Sequence, residues 1–144
     1  MSVGKKIKHV DLTLAEAEES LSRCIAKAKE MRIEVSVAIV DEYGYLKAFA
    51  RMDGAGWLTP AIAIGKAYTA VAFRKSTAES AERFKDRVNF AASLNQVSGG
   101  RVVLGAAGGL LLEKNSEVAG GIGVSGGTSE EDEECARAGF FTIP

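Results

Sequence analysis

The sequence predicts an α+β domain in which helices pack on one antiparallel sheet, with the element order α-ββ-ααα-βββ-α. Two observations support this fold class. Near the N terminus, apolar residues recur every three or four positions, which is typical of an amphipathic helix. Farther along, the segments predicted as strands come in groups rather than alternating singly with helices. The length of 144 residues fits one domain, so we expect a single domain over 1–144 with residues 1–10 as an N-terminal arm.

The first helix is predicted to begin after Thr13 and to end near Met31. Thr13 and Glu16 have the spacing of a capping box, in which each side chain bonds the other residue's backbone N–H. A β-hairpin is predicted next, because two segments with strand-like sequence flank a segment with turn residues. The runs and the turn are Ile33 to Val40, Asp41 to Gly44, and Tyr45 to Ala50. This hairpin delivers Arg51 to its far end.

Three helices are predicted in the middle of the chain. Thr59-Pro60 offers an N-cap with proline in the first turn, and alanine-rich sequence continues to Arg74. A second helix is predicted from Ser76 to about Val88. A short third helix is predicted over Phe90 to Gln96, before a glycine turn.

The last third is predicted to supply three strands and a final helix. Short apolar runs separated by glycines are typical of antiparallel strands. These runs are Val102 to Leu104, Gly109 to Leu112, and Val118 to Val124. Thr128 is then an N-cap candidate, and the acidic residues after it suit the positive end of a helix that continues through Arg137.

Composition excludes several classes of function. The chain is 47% hydrophobic and 26% charged with a net charge of -1, so no overall charge favours nucleic acid or an anionic membrane. No apolar run approaches the roughly 20 residues of a membrane span, and the start lacks a secretory apolar region, so we expect a cytoplasmic protein. Cys24 and Cys135 stand alone in predicted helices, which favours buried small side chains over a zinc site or a nucleophile.

Two stretches are predicted to form parts of one pocket. Arg51 to Ala55 is a charged exit from a strand, and Ala119 to Gly127 is a strand whose glycines allow close approach to the main chain. The second stretch lacks the signature of a phosphate-binding loop. Its Ser125 and Gly126 have two interpretations, as the wall of a ligand site or as close packing of strand on helix.

Several short motifs, each weak by itself, together form a specific sequence pattern because of their order and spacing. They are Val37 to Asp41 with Gly44; Arg51 to Ala55; Ala61; Lys66-Ala67 with Thr69-Ala70; and Gly121 to Gly127 followed by Glu131-Asp132 and Ala136. On these motifs the chain resembles the GlcG/HbpS family, a haem-degrading or haem-binding domain also found at the C-terminal end of PduO-type proteins. The resemblance implies a profilin-like fold with a five-stranded antiparallel sheet flanked by helices. It also implies a haem or tetrapyrrole ligand and a homo-oligomer.

Haem iron usually takes His, Cys, Met or Tyr as an axial ligand, and the only histidine is His9. His9 is therefore the candidate metal ligand, supplied by the N-terminal arm, or else a solvated side chain on that arm. Met52, Tyr68 and the hydroxyl of Thr59 are the alternatives.

Arg51 and Lys66 are candidates for binding carboxylates, such as haem propionates or a small carboxylate substrate. The structural alternative for Arg51 is an ion pair with Asp53 or Asp41, and for Lys66 it is a solvated helix face.

Two hypotheses about function remain open from the sequence. One is a tetrapyrrole-binding protein, with haem degradation or redox chemistry carried by the bound group. The other is an oligomeric domain that binds or converts a small glycolate-like carboxylate without haem. Hydrolase mechanisms that need a Ser/His/Asp or Cys/His set are disfavoured because only His9 could supply the histidine. Neither hypothesis decides whether the chain is an enzyme.

Overall fold

A computed structural model describes residues 10–143, so residues 1–9 of the predicted arm, including His9, lie outside the described residues. The described residues form an α+β fold with five helices and an antiparallel sheet. The helices are α1 (Leu14–Met31), α2 (Thr59–Phe73), α3 (Thr77–Phe84), α4 (Val88–Val97) and α5 (Ser129–Ala138). The strands are β1 (Ser36–Asp41), β2 (Leu46–Arg51), β3 (Gly109–Lys114) and β4 (Glu117–Ser125).

The sheet contains four strands among the described residues, not the five that were predicted. Their order is β2-β1-β4-β3, and every neighbouring pair is antiparallel. The predicted hairpin is confirmed as β1 and β2, and the last two predicted strands are confirmed as β3 and β4. The predicted strand over Val102 to Leu104 is wrong, because that segment lies outside the sheet.

Val102 to Leu104 instead belongs to a segment that packs on α2. The backbone N–H of Val103 donates to the Thr69 hydroxyl at 2.8 Å, where a strand would donate to a neighbouring strand. A Cβ at Gly65 of α2 would lie 2.7 Å from Val103 Cγ2 and 3.0 Å from the Arg101 carbonyl oxygen. Val103 therefore packs against α2, a contact that local β-propensity does not reveal.

Helices cover both faces of the sheet. One core cluster joins α1 and α5 to alternate residues of the central strands, including Val37, Ile39 and Ile122. A smaller cluster joins α2 to the intervening residues Ala38 and Val40. Because successive strand residues point to opposite faces, the continuous apolar run of β1 is explained by burial on both sides.

Local sequence signals define both ends of α1 and the start of α5. The predicted capping box of Thr13 and Glu16 is confirmed, and a second one forms between Thr128 and Glu131. Each box satisfies backbone N–H groups that the first turn of a helix leaves unbonded.

Among the described residues, no helix is both long enough and apolar enough to cross a membrane.

Candidate functional site

A groove runs between α1 and the edge strand β2, and we call it the α1–β2 groove. Its first part, about 560 Å³, is lined by Leu14, Glu18, Leu21, Ser22, Ile25, Lys47, Ala48 and Phe49. Its second part, about 370 Å³, is lined by Ile25, Lys29, Glu34, Ala50, Arg51, Met52 and Asp53. Ile25 lines both parts, so they adjoin each other at this residue. The helix residues recur at three- and four-residue spacing, which places them on one side of α1.

The two parts of the groove differ in chemistry. The first part offers the apolar side chains of Leu14, Leu21 and Phe49, and Phe49 is 37% exposed. The second part carries two cations, Lys29 and Arg51, and two carboxylates, Glu34 and Asp53. An apolar surface that ends in two cations suits a flat apolar ligand with carboxylates at one edge.

Arg51 is exposed at the end of β2 and makes no ion pair within residues 10–143. The predicted alternative pairing with Asp41 does not form, because Arg51 lies opposite Ser36 at the start of β1 and Asp41 is at the other end of that strand. No ion pair joins Arg51 to Asp53 within these residues either. Glu34, which also lines the groove, accepts the backbone N–H of Gly54 at 3.1 Å. The guanidinium of Arg51 is therefore available to a ligand.

The described part of the groove contains no histidine or cysteine. Met52 lines it, but its sulfur accepts the backbone N–H of Val35 at 3.4 Å, which makes it a poor choice as an iron ligand. Tyr68 lies on α2, on the other face of the sheet, and is covered in part by Gly44. No group of three or more His, Cys, Asp or Glu side chains within residues 10–143 could hold a metal ion. An axial ligand from His9 stays a prediction.

The residues Thr59 and Ser125 come together at the start of α2. Ser36 of β1 lies opposite Arg51 on one side and opposite Ser125 on the other, so the three form a row across the sheet. The hydroxyls of Ser36 and Thr59 are 2.9 Å apart, and Thr59 also donates to the Gly56 carbonyl at 2.7 Å. Ser125 is buried, so this row fixes the start of α2 on the sheet and leaves Arg51 as its exposed end.

Lys66 is buried rather than lying on a solvated helix face, with only 2% of its surface exposed. Its ammonium donates to Asp132 Oδ2 and to the Val124 carbonyl, both at 2.9 Å. Asp132 Oδ1 in turn accepts the backbone N–H of Gly127 at 2.8 Å. Burial raises the pKa of Asp132, and the bonds from Lys66 and Gly127 oppose that rise. Both charges are thus satisfied inside the protein.

The Lys66–Asp132 pair connects α2 and α5, which pack on opposite faces of the sheet. The pair can form because β3 begins only at Gly109 and is preceded by Gly108. A Cβ at Gly108 would lie 2.9 Å from Lys66 Nζ and 2.9 Å from Asp132 Cβ, and its φ of +117° also favours glycine. A ligand could reach Lys66 only if this pair opened.

The glycines of β4 bring α2 close to the sheet. A Cβ at Gly121 would lie 2.6 Å from the Ala67 carbonyl oxygen, and a Cβ at Gly123 would overlap the Ala63 carbonyl oxygen. Gly126 has a φ of +148° and packs its backbone on Val35. Close packing therefore accounts for these glycines, and a role for Ser125 and Gly126 in ligand binding stays a prediction.

Cys24 and Cys135 are both fully buried, as their positions in helices predicted. Burial raises the pKa of the Cys24 thiol to about 12 and that of the Cys135 thiol to about 11. Only the thiolate is a strong nucleophile or metal ligand. Neither cysteine is therefore suited to nucleophilic or metal chemistry near neutral pH.

The structure brings together some of the predicted site residues and separates others. One end of the sheet carries Arg51, Thr59 and Ser125. The Lys66 side chain, by contrast, is buried and bonded to Asp132. Sequence reasoning missed Lys29 and the apolar side of α1 as parts of a site. Their helical spacing was visible, but nothing local indicated that this side is only partly covered by the edge strand β2.

Three comparisons place the chain among known proteins. Residues 12–140 match the family described as "Haem degrading protein HbpS-like". The chain is 37% identical over 132 residues to an uncharacterized 15.0 kDa protein of the dhaT-dhaS intergenic region of Citrobacter freundii, covering 90% of each chain. A crystal structure of a PduOC:heme complex has a TM-score of 0.81 and 28% identity, covering 90% of this chain and 93% of that one. A double mutant of Streptomyces reticuli HbpS has a TM-score of 0.81 and 31% identity, covering 96% and 91%.

Proposed function

Since this chain belongs to the HbpS-like family of haem-degrading proteins, we propose that it binds haem or a related tetrapyrrole in the α1–β2 groove. The observation that carries the proposal is the arrangement of the groove, whose apolar surface leads to Arg51 and Lys29, two cations that form no ion pair within residues 10–143 although carboxylates also line the groove. The structural similarity to a PduOC:heme complex supports the same ligand class.

The groove fits the chemistry of a haem. Leu21, Ile25 and Phe49 offer apolar contacts for the ring, and burying such surface is favourable by about 25 cal/mol per Å². Arg51 and Lys29 offer charge-assisted hydrogen bonds to propionates. When bound, the haem would supply redox chemistry, and the chain would orient it and control its access to water. His9 is the proposed axial ligand.

Haem titration followed by visible absorption tests this proposal. We expect saturable binding with a shifted Soret band, and about tenfold weaker binding in Arg51→Ala because a charge-assisted hydrogen bond is lost. Ile25→Glu should abolish binding by placing a charge on the apolar surface. His9→Ala should remove the spectrum of the ligated iron. Arg23→Ala is the matched control, because Arg23 is exposed on α1, pairs with Glu19 and is not among the residues that line the groove.

Two outcomes would contradict the tetrapyrrole site. One is the absence of saturable haem binding, and the other is unchanged binding in a correctly folded Ile25→Glu variant. Absence of haem binding would favour the alternative function, a small-carboxylate domain. Arg51 is the exposed residue that could bind such a carboxylate, whereas Lys66 could do so only after leaving Asp132.

We also propose that the chain forms a homo-oligomer through α4 and the surface beside it. All ten residues of α4 are at least partly exposed, with Val88 71% and Val97 82% exposed. A groove of about 550 Å³ separates α3 and α4 from the segment over 102–105. Isolated helices shorter than about 12–15 residues are marginal in water, so α4 needs a covering surface.

A second copy of the same surface is the occupant that the charges favour. Lys85 lines the groove, and Asp86 and Arg87 follow it in the sequence, so that the three charges alternate in sign. A two-fold contact centred between Lys85 and Asp86 would place each of these two charges near its opposite in the second copy, as a self-complementary contact requires. The exposed valines would then be buried at the centre of the interface.

Sedimentation velocity tests the interface. We expect the wild type to sediment as an oligomer and Val97→Glu to shift the population toward monomer, because a charge would be buried at the contact. Leu46→Glu is the matched control, since Leu46 is also exposed but lies in β2. A monomeric wild type, or an oligomer that Val97→Glu leaves intact, would rule out this interface.

A further inference from the structure

A second cleft lies at the β3 edge of the sheet, opposite the edge that carries the α1–β2 groove, and we call it the β3-edge cleft. It has a volume of about 330 Å³ and is lined by Arg74, Lys75, Ser76, Glu79, Leu110, Leu111, Arg137 and Phe140. We propose that this cleft binds a small organic anion with an apolar body, of the class of an aromatic carboxylate. The proposal concerns a separate site and does not depend on haem binding.

Three cations from different elements meet at the cleft. Arg74 ends α2, Lys75 follows it, and Arg137 lies in the last turn of α5. Within residues 10–143, Arg74 and Lys75 have no carboxylate partner, and Arg137 has only an exposed pair with Glu133 at 3.5 Å. Like charges held close together repel one another, so a bound anion would stabilise the arrangement.

The single acidic residue among the lining side chains is already engaged. Glu79 Oε1 accepts the Ser76 hydroxyl at 3.2 Å, and the Glu79 backbone N–H donates back to Ser76 at 3.2 Å. This local pairing holds the carboxylate at the start of α3. The lining therefore carries more positive than negative charge, unlike the α1–β2 groove, where Lys47, Lys29 and Arg51 are matched by three carboxylates.

The apolar part of the cleft selects an organic ligand over an inorganic one. Leu110 and Leu111 are half-buried on the edge strand β3, and Phe140 is 49% exposed. Leu110 and Leu111 point to opposite faces of the sheet, so an aromatic ring would lie across this edge, and it would remove apolar surface from water, which phosphate or sulfate cannot do. The carboxylate of the same molecule would then reach the guanidinium groups, which can bond it with two parallel N–H donors.

The backbone around the cleft is held in place before any ligand arrives. The Gly109 N–H at the start of β3 donates to the Thr77 hydroxyl of α3 at 2.8 Å, which joins two walls of the cleft. Arg74 has a φ of +53°, and its N–H caps α2 through the Ala70 and Val71 carbonyls. A preorganised site loses less conformational entropy on binding.

Titration of ¹⁵N-labelled protein with benzoate tests the proposal. We expect saturable shifts confined to amides around the cleft, such as Leu111, Thr77 and Phe140, and no comparable shifts with phosphate or with benzylamine. The double variant Arg74→Asn/Arg137→Gln should bind benzoate at least about tenfold more weakly, because charge-assisted hydrogen bonds are lost. Asparagine tolerates the positive φ at position 74. Arg83→Gln, on the exposed side of α3, is the control.

Each other outcome overturns the proposal. Absence of saturable benzoate shifts would show that the cleft does not bind this class. Equal shifts with phosphate would show that the cleft recognises negative charge alone and does not require an apolar body on the ligand. Equal binding by the double variant, with its fold confirmed by the same spectra, would show that Arg74 and Arg137 do not form the site. The haem titration is unaffected by any of these results, so the two proposals can fail separately.

Discussion

Replacing Gly123 with alanine is expected to remove most of the stability of the fold. The added Cβ would overlap the Ala63 carbonyl oxygen and lie 2.6 Å from the Ala67 backbone nitrogen. Both atoms belong to the backbone of α2, so no side-chain rotation relieves the overlap and the helix must move away from the sheet. We expect a loss of about 4–5 kcal/mol, the top of the range for single substitutions and a large share of a total of about 5–15 kcal/mol.

Urea unfolding followed by circular dichroism measures this loss. Gly105→Ala is the matched control, because a Cβ there would have no heavy atom within 4 Å, and it should change the free energy of unfolding by less than about 0.5 kcal/mol. A Gly123→Ala protein with wild-type stability would mean that α2 does not pack on β4 as described.

Replacing Lys66 with methionine is expected to have the second large effect. The substitution keeps the apolar volume but leaves the Asp132 carboxylate buried beside the Val124 carbonyl without its cation. Breaking a buried ion pair by removing one partner typically costs about 3–5 kcal/mol. The variant Lys66→Met/Asp132→Leu should recover part of this loss, because it removes the uncompensated charge.

The pH dependence of Lys66→Met gives an independent test. Burial raises the pKa of Asp132 already in the wild type, and loss of Lys66 removes a group that opposes the rise. A carboxyl whose folded-state pKa exceeds its unfolded-state pKa binds more protons when folded, so its contribution to stability falls as pH rises between the two values. Lys66→Met should therefore be relatively more stable at pH 5 than at pH 8.

Arg23→Met is the control for both measurements. Arg23 pairs with Glu19 at 2.8 Å, but both side chains are exposed, so the loss should stay below about 1 kcal/mol. A Lys66→Met loss no larger than that of Arg23→Met would show that the buried pair does not join the two layers.

Only part of the candidate site could be predicted from the sequence. The motif around Arg51 indicated a cation at the end of a strand, and the structure leaves this side chain exposed and unpaired. The partners of Arg51 in the groove come from α1, more than 20 positions earlier in the chain. No local pattern in α1 distinguishes a half-covered apolar face from a fully covered one, because that difference depends on β2 being an edge strand.

Lys66 is a second residue whose surroundings the sequence did not determine. Its helix position beside small residues allowed both a ligand-binding role and a solvated face, yet the structure encloses it with Asp132. The pairing depends on Gly108, which leaves space for the ammonium at the start of β3. A contact between residues 66 positions apart is decided by how two layers meet, which spacing along the chain does not encode.

The sequence by itself determined the helix starts at Thr13 and Thr128, the β1–β2 hairpin, the α+β class and the family, because caps, turns and alternation act over a few residues. Only the tertiary structure decided that Val102 to Leu104 packs on α2 instead of joining the sheet, that Lys66 is paired, and that α1 and β2 enclose a groove. Those outcomes depend on close contact between distant segments, and close contact follows from the packing of the whole chain.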